Sequence, residues 1–335
     1  MSAPKPHFAV LDVLRALAAL VVCLFHFNYR NGSTLSVMLE YGHYGVEVFF
    51  VISGYVIPLA MSWSQFKYTD TPNFLLRRFI RLYPVFAIVA VANVILATYG
   101  SPLLGYGGDS PDLTWTRALA NFTLTCNLVG ESWYLPVFWT LAIEAQYYFL
   151  IALSFPLLIH EKNWVKIGTL LLWIVPSYFV GYGETVFTWT AFFSIGILVF
   201  LKQQKHITGT IFWPLLLLAV FTHTETRNLT SGLIGVSTAL CVLYCPPLKM
   251  KWLVKLGAVS YSLYLLHLAF GGAVLIHLRN LPEKYQWINT QPVGIILSLL
   301  VSIGASLLFY KYTELPIHNF ARKFKTRARE KELAK

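Results

Sequence analysis

Apolar residues along this chain run on for about twenty positions at a time, separated by short polar connections. A helix of about twenty residues rises about 30 Å, the thickness of a bilayer's hydrocarbon core. Ten such runs are expected, at about 8–28, 43–62, 82–99, 133–154, 164–181, 185–201, 210–224, 229–246, 254–277 and 291–313. The fold class this predicts is all-α, a polytopic membrane protein built as a bundle of about ten transmembrane helices. Residues 1–320 would form the transmembrane domain and 321–335 a basic tail. The first run is read as a retained span and not a cleaved signal, because Asp12 and Arg15 interrupt an apolar region that a signal keeps free of charge.

Composition agrees: 56% of residues are hydrophobic and 12% charged, the reverse of a soluble protein's balance. With the N-terminus inside, twenty of the 26 Lys and Arg residues fall in cytoplasmic segments, five outside, and Arg15 within the first span. That bias, with an even number of spans, predicts both termini in the cytoplasm. The net charge of +11 then reflects topology and the basic tail, so the lipid bilayer is the expected partner and no nucleic acid is. The four cysteines include Cys241 and Cys245, one helical turn apart within a span, with no further ligands nearby; packing is expected and no metal.

Ionisable side chains within spans are costly unless they face a protein interior or a wet cavity, so they mark candidate chemistry. Arg15 and His26 lie eleven residues apart on the first span, about three turns, and therefore project from one face. Glu47, early in the second span, is expected at the depth of His26 and could fix its tautomer. His43, at the same depth, reads better as an interfacial residue. Glu144 sits mid-span and needs a partner, for which Arg15 is one candidate; a purely structural ion pair fits equally well. Tyr264 and His267, three residues apart, could orient a hydroxyl or stabilise an oxyanion, or could be a packing stripe. Arg77, Arg78 and Arg81 stand at the cytoplasmic end of the third span, with Arg78 and Arg81 on one face. Guanidinium groups suit phosphate oxygens, so the cluster suggests a phosphorylated cytoplasmic ligand beyond what topology alone would place there.

Several motifs recur in order: Leu11-Asp-Val-Leu-Arg15 followed by His26; Gly45-Val-Glu47-Val-Phe-Phe-Val-Ile-Ser53-Gly54-Tyr; Phe74-Leu-Leu-Arg77-Arg78-Phe-Ile-Arg81-Leu-Tyr-Pro84; Trp139-Thr-Leu-Ala-Ile-Glu144; Ser260-Tyr261-Ser-Leu-Tyr264-Leu-Leu-His267; and Tyr310-Lys-Tyr-Thr-Glu314-Leu-Pro316. Together they resemble the acyltransferase type 3 family of integral membrane proteins across nearly all spans. The resemblance implies a multi-pass protein of the bacterial inner (plasma) membrane. It would carry an acyl group, most commonly acetyl, from cytoplasmic acyl-coenzyme A to a hydroxyl of an extracytoplasmic glycan or glycolipid such as O-antigen, exopolysaccharide or peptidoglycan. Acyl-coenzyme A would be a co-substrate, with no bound cofactor. His26 would be the essential histidine and Arg15 its motif partner; the orienting role of Glu47 comes from the depth argument above and not from the resemblance. Arg77, Arg78 and Arg81 would contact the coenzyme phosphates, and Ser53 would belong to a Ser-Gly turn. Thr140 stands where the family more often has serine. With no esterase-like domain following in this sequence, the transmembrane module is expected to act alone or with a partner. The competing class is a flippase or transporter of a lipid-linked sugar, which would use the same intramembrane charges without chemistry. Against it stand the arginine cluster and the lack of a two-half repeat.

Overall fold

The computed structural model describes residues 9–28, 33–99, 113–180, 185–246 and 250–321. Among them the chain is helical, with no strand. Ten principal helices carry the ten apolar runs: α1 (Ala9–His26), α2 (Gly45–Trp63), α3 (Thr71–Tyr99), α4 (Trp139–Leu158), α5 (Asn163–Ile174), α6 (Val186–Gln203), α7 (Gly209–Thr226), α8 (Leu229–Tyr244), α9 (Ser260–Arg279) and α10 (Gln291–Phe309).

Eight described segments are long and apolar enough to cross a membrane, against the ten spans expected from hydropathy. The two that fall short are α7 and α8. The first ends in the polar run Thr222-His-Thr-Glu-Thr226, and the second is an apolar helix of 16 residues. The expected tail 321–335 lies outside the described residues except for Ala321.

Several boundaries moved for local physical reasons. The second span continues a short helix at Thr34–Glu40 and a tight turn at Tyr41–Tyr44, so its apolar segment runs from Thr34 to Trp63. Helix α3 starts at Thr71 and not near 82, placing the arginine run within the helix. Its Pro84 is accommodated inside the helix. The expected 254–277 span breaks at Val259 into a short helix, Lys251–Ala258, and α9. After α10 the backbone widens into a π turn at Tyr310–Glu314 before a last helix, Leu315–Ala321. Such widenings concentrate at functional sites, and this one buries the Glu314 side chain.

Helix α6 is the hub. It is apolar around its whole circumference, and 83% of its spanning window is buried, as a helix without a polar face requires. It crosses α2 where two glycines let the backbones touch. A Cβ on Gly54 would lie 2.1 Å from the Phe193 carbonyl oxygen, and one on Gly196 would lie 2.0 Å from that of Val51. Close backbone approach at small residues is how helices pack where lipid removes the hydrophobic driving force between them. Tyr147 of α4 stacks on Phe193 at 4.0 Å, and its hydroxyl donates to the Ser53 carbonyl at 3.2 Å, fixing α4 against the same crossing. On the other side of α2, helix α1 packs against α9 and the Lys251–Ala258 helix.

Candidate active site

The polar residues of the spans gather into two cavities. The first, here the arginine cavity, is a space of about 130 Å³ lined by α1, α2, α3, α4, α9, the π turn and the short helices Lys251–Ala258 and Leu315–Ala321. Arg15, Arg78 and Arg81 bring three guanidinium groups to its wall, and Glu144 and Glu314 bring two carboxylates. The carboxylates are engaged. Tyr148 donates to Glu144 Oε1 in a short hydrogen bond, and Ser262 donates to Glu314 Oε2 at 2.5 Å. Arg78 lies 5.5 Å from the ring centroids of both Phe74 and Tyr148, a cation–π clamp that fixes its direction. Arg15 Nε is buried with no hydrogen-bond partner. With the arginines and carboxylates ionised, the cavity carries a cationic excess, which suits an anionic or carbonyl-bearing ligand.

The second, the histidine cavity, has a volume of about 470 Å³, within the range of small-molecule sites. His26, His43 and Glu47 line it, together with Trp139, Trp189 and Arg227. Val46 and Tyr264 line both cavities, so these two side chains form the partition between them. The Tyr264 hydroxyl is held 3.0 Å from that of Thr140.

His26 is oriented by histidine and not by Glu47. Its Nδ1 lies 2.9 Å from the Val22 carbonyl oxygen and 3.2 Å from Nε2 of the fully buried His267. His267 Nδ1 in turn lies 2.8 Å from the Tyr264 carbonyl oxygen. A carbonyl only accepts, so the proton of each neutral ring resides on Nδ1. His26 Nδ1–H is then shared between two acceptors, the Val22 carbonyl oxygen and His267 Nε2, and His26 Nε2 is left with its lone pair. That is the tautomer a general base or an acyl-accepting nucleophile needs. Because the hydrogen bonds run in one direction, a positive charge arising on His26 is met by the His267 lone pair.

Glu47 corrects the expectation made for it. Although it shares the cavity with His26, its Oε1 accepts from Ser231 Oγ at 2.8 Å, and it interacts electrostatically with Arg227. The proposed Arg15–Glu144 pairing is likewise diffuse: Arg15 feels Arg81, Glu144 and Asp12 electrostatically, while Glu144 has its hydrogen bond from Tyr148. The arginine cluster also divides. Arg78 and Arg81 face the cavity, whereas Arg77 turns away, its Nε donating to the Asn73 carbonyl at 3.2 Å. Ser53 lines the arginine cavity as well as supplying a carbonyl to Tyr147. His43 lines the histidine cavity, with its ring 4.0 Å from Tyr44.

Sequence reading missed Tyr148, Glu314, Trp189, Ser231 and Arg227 as site residues. Tyr148 lies one turn beyond Glu144, and Glu314 sits in a motif already noted, so both carried a signal. Nothing in the pattern of α6, α8 or the α7–α8 connection announces Trp189, Ser231 or Arg227.

Fold and site together define a multi-pass membrane protein with two polar cavities that meet at Val46 and Tyr264 and with one of a pair of histidines, His26, lining the second. The chain belongs to the acyltransferase family, whose acyltransferase domain matches residues 8–311. It is 35% identical over 181 residues to the peptidoglycan O-acetyltransferase OatA of Listeria monocytogenes, covering 49% of this chain and 26% of that protein. It is 30% identical over 261 residues to a Staphylococcus aureus protein provisionally named an O-acetyltransferase, covering 72% of this chain and 35% of that protein. The chain thus spans about a quarter to a third of the length of these relatives. No solved structure matches it.

Proposed function

We propose that this protein is an O-acetyltransferase of a glycan, taking its acyl group from acyl-coenzyme A at the arginine cavity and delivering it at the histidine cavity. The single observation that carries the reading is the arrangement of two chemically unlike cavities on either side of Tyr264, with His26 beside the partition. In this reading the Arg78–Arg81 end faces the cytoplasm, where acyl-coenzyme A is found. Arg78 and Arg81 hold the coenzyme phosphates. The cavity beside Arg15 receives the thioester end of the pantetheine arm. Arg15 lines the same cavity, where its guanidinium charge would stabilise the thioester carbonyl as charge develops on its oxygen.

His26 Nε2 then acts in one of two ways. As a base it takes the proton of the acceptor hydroxyl; the oxygen attacks the thioester carbon, the carbon–sulfur bond breaks, and the coenzyme leaves as thiolate. As a relay, Nε2 itself attacks the thioester and expels the thiolate. The hydroxyl oxygen then attacks the acyl carbon of the acyl-imidazolium, the carbon–Nε2 bond breaks, and the freed Nε2 takes the hydroxyl proton. In both, His267 faces the charge that appears on the His26 ring. The membership of the family and the naming of its relatives as O-acetyltransferases support the reaction class.

The test is release of free thiol from acetyl-coenzyme A by the purified protein in detergent, with and without a membrane glycan extract. Wild type should liberate thiol and His26→Ala should not, while both insert and elute alike. Equal release by the two proteins would refute the role of His26. Absence of release by wild type with every acyl donor tried would move the flippase reading ahead.

A further inference from the structure

We propose that residues 113–129 form a re-entrant element that dips into the bilayer beside α3, its outer face binding the acyl chains of the lipid leaflet there. In the ten-span reading these residues fall in the connection between the third and fourth runs, outside the hydrocarbon. The first observation is depth. The helix Trp115–Phe122 ends where the Tyr83 hydroxyl donates to the Phe122 carbonyl at 2.8 Å, and the Phe122 ring lies 6.4 Å from that of Phe86. Helix α3 continues from Tyr83 to Tyr99, about 24 Å farther along its axis. Arg81, two residues before Tyr83, shares the arginine cavity with Arg15, which lies within the first span. By the reckoning of either helix, Tyr83 and Phe122 sit inside the membrane and not at its edge.

The second observation is which side chains face outward. Trp115 is 91% exposed and Leu119 67%, and Leu128 and Val129 beyond the next turn are exposed as well. Phe122 and Leu124 instead pack inward on the cluster that holds Phe86 and Phe138. Grouped exposed apolar side chains mark a surface with a partner. At this depth and farther out, Ile88, Val91 and Ile95 of α3 are exposed in the same way, where a spanning helix meets acyl chains. The surface of the 113–129 segment thus continues the lipid-facing surface of the bundle, and the partner it fits is the same hydrocarbon.

The third observation is how the segment satisfies its polar atoms. In hydrocarbon an irregular backbone has no water to bond and must find partners within the protein. Asn121 is fully buried; its Nδ2 donates to the Arg117 and Ser132 carbonyls, and its Oδ1 accepts from the Tyr134 amide. Arg117 donates from Nε to the Ser132 carbonyl at 3.0 Å and from Nη2 to that of Trp133 at 3.4 Å. The exposed Thr116 and Thr123 return their hydroxyls to the Thr114 hydroxyl and the Leu119 carbonyl. Among the described residues 113–138, no buried side-chain nitrogen or oxygen lacks a partner. Glu131 is the one carboxylate of this stretch and marks where the chain returns to the headgroups before descending into α4. On that descent Pro136 and Val137 line the histidine cavity, so a segment braced by lipid leads directly into the wall of the site.

The experiment uses the full chain in phosphatidylcholine vesicles with one nitroxide label at a time. Leu119→Cys and Leu128→Cys carry the label in a background without the native cysteines, with Val91→Cys and Lys284→Cys as the lipid and water references. Elution volume and thermal midpoint exclude misfolding, and Leu128→Cys decides the matter if Leu119→Cys does not fold. Electron paramagnetic resonance compares relaxation by oxygen, which concentrates in hydrocarbon, with relaxation by a nickel chelate, which stays in water. The oxygen-to-nickel ratio at Leu119 should match that at Val91 and exceed that at Lys284 several-fold. A ratio like that of Lys284 places the segment in water and overturns the proposal. Weak relaxation by both reagents shows that protein covers the face, as in contact with a second copy, and overturns it equally. None of these outcomes bears on acyltransfer, which thiol release tests separately.

Discussion

Replacing His267 tests the orientation of His26 without touching the reacting ring. The His267 Nε2 contact to His26 Nδ1 is 3.2 Å, and His267 lines neither cavity. A hydrogen bond between neutral groups contributes about 0.5–1.5 kcal/mol, and one to a charged group about 1.5–3 kcal/mol. The proton or acyl group that His26 receives makes its ring cationic, so the contact strengthens as the reaction proceeds. A difference of about 1–2 kcal/mol between ground and transition states corresponds to a roughly five- to thirtyfold fall in kcat for His267→Ala. The KM for acetyl-coenzyme A should stay near wild type, because the arginine cavity is intact. His267→Gln supplies the control for the void that alanine leaves at a fully buried position: its amide oxygen can stand where Nε2 stood and accept the same proton. Initial-rate thiol release across a range of coenzyme concentrations separates kcat from KM, and the glutamine variant should recover most of the lost kcat. A wild-type kcat in the alanine variant, or a loss confined to KM, would refute the dyad.

Other consequences follow from the same geometry. Arg81→Gln should raise the KM for acetyl-coenzyme A roughly tenfold or more, the loss of one charge-assisted contact of about 1.5–3 kcal/mol, while Arg77→Gln, facing away from the cavity, should change it less than about twofold by the small effect typical of surface substitutions. Gly196→Ala should cost at least about 1–3 kcal/mol by forcing α6 away from α2, seen as a lowered thermal midpoint or lost monodisperse yield in detergent. A membrane-impermeant maleimide applied to intact cells should label Lys284→Cys and spare Lys67→Cys in a background without the native cysteines; the reverse pattern would invert the assumed topology.

How far the sequence could be read depended on where information about depth and facing is stored. Helix count and type were legible because apolar length is a one-dimensional property: all ten runs are helices. Arg15 and Glu144 were found because a charge in an apolar run is conspicuous, and Arg78 and Arg81 were correctly placed on one face by their spacing. Partner choice was not legible. Glu47 and His26 do share a cavity, yet depth alone cannot say which way each ring or carboxylate turns, and Ser231 captures Glu47 from a helix almost two hundred residues away. His26 finds His267 across a separation of 241 residues, and only helix packing brings them together. Arg77 was assigned to the ligand because three arginines within five positions look like one cluster, although about 100° of helical rotation separates it from Arg78. The shortfall of α7 and α8 shows the opposite error, in which the hydropathy of a window outvoted the length of its helix.

The division of charge between the cavities bears on the choice between moving a whole substrate and moving a group. An alternating-access carrier presents one site to each side in turn, so its polar groups are shared by a single ligand. Here the ionic groups are unlike on the two sides of Tyr264: three guanidinium groups against two carboxylates in one cavity, an offset Glu47–Arg227 pair beside neutral rings in the other. A single ligand traversing both would have to suit a cationic environment and then one of offset charge and different volume. Two ligands, an anionic donor and an uncharged acceptor, each suit one. What then crosses is small enough to pass a partition made by a valine, a tyrosine and the threonine that holds it. An acetyl group meets that requirement and an intact lipid-linked sugar does not, unless Tyr264 and the crossing behind it move. The glycine contacts at Gly54 and Gly196 oppose such movement, because they lock α2 to α6 at backbone distance. On this ground the rigid hub of the bundle and its divided polar interior favour the transfer of a group between stationary substrates.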